Sequence, residues 1–128
     1  MATEKAPANV GVWFEIPATD FDRAVGFYEK VFETQLRVAD MGGARLGVFP
    51  YEEPASSGCV MKADGYRPSR DGSVIYLETK GALDGPLARA VEAGGKVAIP
   101  KTALPPGMGF FAQFIDIEGN RVGLHSIE

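Results

Sequence analysis

The chain is 128 residues long, 45% hydrophobic and 23% charged, which suits one globular domain with a real core and is too short for two independent ones. Its formal net charge of −4, with no Lys/Arg cluster, argues against nucleic acid as a partner. The single cysteine, Cys59, excludes an intrachain disulfide and a thiolate zinc cluster, and no apolar run reaches membrane-spanning length.

Residues 1–8 lack the apolar core of a signal peptide and read as a flexible tail, which makes the cytoplasm the expected location. From Val10 to Ile16 the residues alternate, with Val12, Phe14 and Ile16 on one face and Trp13 and Glu15 on the other, as in a strand with two distinct sides. Pro17 and Ala18 end it, Thr19 or Asp20 caps a helix, and Phe21, Ala24, Val25, Tyr28, Val31 and Phe32 follow at helical spacing. Short strands are expected over Leu36–Asp40, Arg45–Pro50 and Gly58–Lys62, separated by Gly42-Gly43 and by a polar turn around Glu53–Ser57. Residues 64–72, rich in turn formers, form a linker.

The same order then returns at an offset of a little over sixty residues. Val74–Glu78 is a strand with Ile75 and Leu77 toward the helices and Val74, Tyr76 and Glu78 on the opposite face. A helix starts near Asp84 with Pro86 in its first turn, presents Leu83, Leu87, Ala90 and Val91 as its apolar side, and stops at Gly94-Gly95. Strands over Val97–Ile99, Phe110–Ile115 and Arg121–Ile127 complete the copy, with Asp116–Asn120 as the last hairpin turn. Internal repetition of this kind predicts an α+β fold of two tandem βαβββ modules, about 9–63 and 73–128, in one domain over 9–128 that forms a concave, partly open sheet cup.

Trp13-Phe14-Glu15-Ile16-Pro17 with Asp20 and Phe27-Tyr28, and Phe110-Phe111-Ala112 leading into Glu118-Gly119-Asn120-Arg121 and Gly123-Leu124-His125-Ser126, resemble the vicinal oxygen chelate superfamily. That superfamily holds glyoxalase I, bleomycin resistance proteins and extradiol dioxygenases, and the likeness is greatest to its small glyoxalase-like group. The resemblance implies the repeated fold but no single activity. Metal-dependent members hold a divalent ion with one side chain from the first and last strand of each module. On this sequence those positions fall at Trp13, Val74, Gly123 and near Cys59–Met61, which offer no hard donor set. No metal and no cofactor are therefore expected, with a rearranged divalent site as the alternative.

Polar groups remain on the expected cup face. Glu15 shares its side with Trp13, and Glu78 and His125 come from neighbouring strands, where a carboxylate orienting an imidazole would serve acid–base chemistry. The competing reading makes Glu78 a solvated rim charge, His125 a histidine satisfied by a carbonyl or water, and Glu15 the partner of a nearby basic side chain. Trp13, Met61, Tyr76 and Phe111 are candidate apolar walls, and Gln113 a candidate amide anchor; core packing, an interface or a cross-strand bond are their alternatives. Residues 103–109, rich in Gly and Pro, are either a lip over the cup or a plain strand connection. Gly42-Gly43 and Gly94-Gly95 lack phosphate-loop spacing, and Ser56-Ser57-Gly58-Cys59 is not a nucleophile elbow because no helix follows. Two functions follow: a metal-free protein that binds a small oxygenated or aromatic molecule, or a lyase- or isomerase-type enzyme using Glu15 or His125. A purely structural subunit is a third. A homodimer is expected from the exposed sheet edges and half-built cup.

Overall fold

The computed structural model describes residues 6–128, so the first five residues of the expected tail lie outside the described residues. The elements run β1 (Trp13–Pro17), α1 (Phe21–Phe32), β2 (Arg37–Met41), β3 (Ala44–Val48), β4 (Ser57–Lys62), β5 (Tyr76–Glu78), α2 (Asp84–Glu92), β6 (Lys96–Ala103), β7 (Phe110–Ile115) and β8 (Arg121–Ser126). They form two four-stranded mixed sheets, ordered β1-β4-β3-β2 and β5-β8-β7-β6, which do not close into a barrel. In each, the first strand of the module runs parallel to the last, and the other neighbours are antiparallel. This is βαβββ twice. No helix among the described residues is long and apolar enough to cross a membrane.

Helix α1 follows from its sequence. Asp20 accepts a hydrogen bond from the Arg23 N–H as N-cap, and Ala24, Phe27, Tyr28 and Val31 bury one face. The chain leaves it through Glu33, in the left-handed conformation, whose backbone N–H bonds back into the last turn. That face meets Phe14, Ile16 and Val60 from the first sheet, and Leu77, Ala112, Phe114 and Leu124 from the second, in one continuous core. The helices also touch directly, Arg89 Nε donating to the Val31 carbonyl at 2.9 Å.

Several expected boundaries are corrected. Val10 and Val12 are exposed and precede β1, which continues through Pro17. Val74 lies outside β5, which has only three residues. Val91 is exposed rather than buried. Strand β6 extends to Ala103, past Pro100, because an edge strand with register shifts tolerates a residue that donates no ladder bond. The cap of α2 is Leu83, not an acidic residue, since the Asp84 carboxylate accepts from Lys101 Nζ at 2.6 Å. Residues 103–109 close a hairpin in which Gly109 packs against the backbone at Ser126, where a Cβ would not fit.

The modules are joined through the β7–β8 turn. The buried Asp116 carboxylate accepts from the N–H groups of Glu118 and Asn120, from Asn120 Nδ2 and from the Tyr28 hydroxyl at 2.6 Å. Burial, then the Asp116 charge and hydrogen bond, pushes the Tyr28 phenol well above its ordinary range, so it remains the donor. Asn120 Nδ2 also reaches the Pro17 carbonyl at the end of β1. Glu118, with a side chain 1% exposed, accepts from the N–H groups of Thr19 and Asp20, the Thr19 hydroxyl and Arg23 Nη2. An internal carboxylate thus fills the anion position at the start of α1.

Burial works to raise the Glu118 pKa, but the hydrogen bonds from Thr19, Arg23 and Asp20 outweigh it and hold the value below the ordinary one. A depressed carboxylate contributes stability that is present above its unfolded pKa and lost as pH falls through the folded one. Glu118→Gln is expected to lower unfolding free energy by about 2 kcal/mol at neutral pH. Denaturant titrations should show the gap to wild type shrinking as pH falls below the carboxylate range; a constant gap would contradict this.

Candidate functional site

Strand alternation places Trp13 and Glu15 on the face of the first sheet turned away from α1, with Phe14 and Ile16 packed beneath. Their partners across β1–β4 are Ser57 and Cys59. The indole N–H of Trp13 points at Glu15 Oε2 from 3.4 Å, a long contact, and the Tyr66 hydroxyl donates to Glu15 Oε1 at 2.9 Å. The Glu15 carboxylate holds the Tyr66 phenol above its usual range through that bond. Glu15 therefore meets a phenol and an indole rather than a basic side chain, and it is exposed, so it carries no burial cost. Met61 lies farther along the same face, half-buried against a small cluster of Ala44, Leu46, Val48 and Cys59. Burial, then the Glu15 charge, pushes the Cys59 thiol up to about 12, leaving it protonated and inert.

The matching face of the second sheet carries a row of three register partners on adjacent strands, Tyr76, Gly123 and Gln113. A Cβ at residue 123 would overlap the Tyr76 ring, so the missing side chain is what lets that ring lie across β8. Its hydroxyl thereby reaches Gln113 Nε2 at 2.6 Å, and Gln113 Oε1 accepts from Arg121 Nη1 at 2.9 Å. Phe111 meets Tyr76 edge to face, with centroids 6.2 Å apart. Glu78 stands opposite His125 in the next row and is exposed, while His125 Nε2 lies 2.8 Å from the Met108 carbonyl, to which it donates. Of the two readings of this pair, the structure therefore has the one in which Glu78 is an exposed rim charge and the imidazole is satisfied by a carbonyl, that of Met108 in the β6–β7 turn.

Between the sheets, where the end of β1 meets the start of β8, lies a pocket of about 260 Å³. Its polar lining is Glu15, Arg67, Ser69, Ser73, Asn120 and Arg121; Pro17, Ile75 and Val122 supply an apolar floor. The linker is its outer wall, held by Ser69 N–H donating to Asn120 Oδ1 and by Arg121 Nε donating to the Arg70 carbonyl. A larger open hollow of about 510 Å³, at the start of α1 beside Arg45 and Lys62, has none of the expected site residues.

No protein-family model matches the chain, and no curated protein matches it in sequence. Solved structures do. A glyoxalase/bleomycin resistance protein from Streptomyces sp. CB03234 superposes with a TM-score of 0.68 at 24% identity, over 90% of this chain and 98% of its own. A glyoxalase I mutant from Zea mays gives 0.66 at 20% identity over 89% of this chain; the chain spans only 45% of that protein. An antibiotic binding protein, also from Streptomyces sp. CB03234, gives 0.63 at 22% identity over 94% and 98%. The chain has the glyoxalase/bleomycin resistance fold.

The resemblance implies metal-holding positions on the first and last strands of each module, and the strand register shows which residues stand level with one another there. Trp13 stands seven residues before the cap Asp20, and Tyr76 seven before the cap Leu83, so Tyr76 rather than Val74 is the second first-strand position. Their cross-strand partners are Ser57, not Cys59 or Met61, and Gly123. The four offer an indole, a hydroxyl already donating to the Phe49 carbonyl, a phenol bonded to Gln113, and a hydrogen. This donor set does not fit a hard divalent ion. Among the described residues there is also no group of three or more His, Cys, Asp or Glu side chains placed to hold one.

Of the residues expected in the site, Glu15 alone lines the junction pocket; Trp13 adjoins it, and Tyr76, Phe111 and Gln113 form the aromatic–amide chain ending on Arg121. Met61, Glu78 and His125 stand apart from it. Sequence reasoning missed Tyr66, Arg67 and Arg121. Alternation from Gly123 and His125 puts Arg121 on the same face and was available; nothing local signals that the linker folds back over β1.

Gly123→Ala is expected to push the Tyr76 ring off β8 and break its bond to Gln113, at a cost of about 1–3 kcal/mol. Thermal unfolding and the Tyr76 ring resonances would register both effects. An unchanged melting temperature would show that the ring does not depend on the glycine.

Proposed function

We propose that the chain is a small-molecule-binding member of the glyoxalase/bleomycin resistance family that holds its ligand at the junction of the two sheets and uses no metal. The observation that carries this reading is the Tyr76 ring lying across Gly123, with its hydroxyl tied to Gln113, on ground where a metal-dependent relative needs a donor. Space for a ligand lies beside it instead, in the pocket under the linker, where polar side chains converge over an apolar floor. The antibiotic binding protein of the same fold supports binding rather than turnover. The test is a thermal-shift screen of small oxygenated and aromatic metabolites on protein treated with chelator. The reading expects a ligand whose affinity is the same with chelator or with added Zn, Ni, Mn or Fe; binding that needs the ion would overturn it.

We also infer a homodimer. Each sheet ends in an uncovered outer strand, β2 or β6, and these edges carry exposed Val38, Met41 and Val97. Light scattering at tens of micromolar should return twice the chain mass; a monomer at that concentration contradicts the dimer.

A further inference from the structure

Resting on the binding reading above, we propose that the junction pocket selects a small carboxylic acid that carries a hydrogen-bond donor at its other end. The charges make the case. The chain is acidic overall, at −4, yet the residues that line the pocket include two arginines, Arg67 and Arg121, against one acidic residue, Glu15. No carboxylate of the described residues lies within ion-pair distance of either arginine, although five ion pairs form elsewhere on the molecule. The Arg121 side chain is positioned by Gln113 and the Arg70 carbonyl, which engage Nη1 and Nε and leave Nη2 with no partner among the described residues. Arg67 has none among them at all. The free Nη2 of Arg121 and the unpartnered guanidinium of Arg67 are cationic donors suited to the oxygens of a carboxylate.

The remaining lining sets the rest of the ligand. Glu15 is satisfied at Oε1 by Tyr66, while Oε2 has only the long contact with the Trp13 indole, so the carboxylate still accepts from a hydroxyl or amino group. A ligand anion beside Glu15 is repelled, which orients the molecule with its acid at the arginines and its donor at Glu15. One net positive charge is neutralised by a monoanion and exceeded by a phosphate dianion. The pocket, at about 260 Å³ with Pro17, Ile75 and Val122 as floor, suits a body the size of one aromatic ring.

The test uses the full chain with 4-hydroxybenzoate, its uncharged counterpart 4-hydroxybenzamide, and benzoate, which lacks the donor, each followed by amide chemical-shift mapping. The acid is expected to bind at β1, β8 and the linker at least about tenfold more tightly than either analogue. Arg67→Gln and Arg121→Gln should each weaken the acid about tenfold and leave the benzamide unchanged, and Glu15→Ala, which removes the acceptor, should abolish the preference over benzoate. Arg67 makes no contact that folding needs, so its variant stays informative if Arg121→Gln is unstable. Equal affinities for acid and amide in this pocket, no effect of Arg67→Gln, or no binding of the acid at millimolar concentration would overturn the charge selection while leaving the pocket itself as the site. Shifts confined to another part of the molecule would overturn the binding reading too.

Discussion

The Asp116 carboxylate is the contact on which the pairing of the two modules depends. It is 4% exposed and its oxygens are met by four donors, two from its own turn, one from the Asn120 amide and one from Tyr28 in the other module. Those bonds give the β7–β8 turn its shape, and the shape delivers Asn120 to the end of β1 and Glu118 to the start of α1. One short polar turn therefore fixes the first strand and helix of module one against the last strand of module two. The apolar core common to both modules supplies the bulk of the burial, but it is non-directional, and the hydrogen-bonded turn supplies the alignment.

The pocket is a by-product of that alignment. Asn120 in the turn and Arg121 on the paired strand β8 form its inner wall, whereas Arg67 and Ser69 in the exposed linker, with Ser73 just after it, form its outer wall. A rigid wall opposite a loop is a common division of labour in binding sites, since the strand sets geometry and the loop admits the ligand. The Tyr76–Gln113–Arg121 chain extends the rigid side across three strands and depends on Gly123 having no side chain.

The repeat, the two sheets and the helical faces were legible in the sequence because period-two and period-3.6 patterns report which side of an element is buried. The likeness to glyoxalase-like proteins agrees with the fold that the solved structures share. Register was less legible. Val74 reads as the counterpart of Trp13 when the two strand runs are laid over one another, whereas β5 starts only at Tyr76 and helix α2 is capped by Leu83, Asp84 serving Lys101. The partner of Glu15 was also hidden, because Tyr66 sits fifty-one residues away in a turn-rich segment whose path across the sheet no local pattern encodes. The same holds for Arg67, which reads as a solvated linker charge until the fold brings it beside Arg121.

The claim that a ligand occupies the sheet junction is tested most directly by a crystal structure grown with a saturating small-molecule ligand from the metabolite screen. The account predicts ligand density enclosed by Glu15, Arg67, Asn120 and Arg121, with the Tyr76 ring still lying across Gly123. Density in the hollow beside Arg45 and Lys62, or a metal ion displacing Tyr76 from β8, would contradict it.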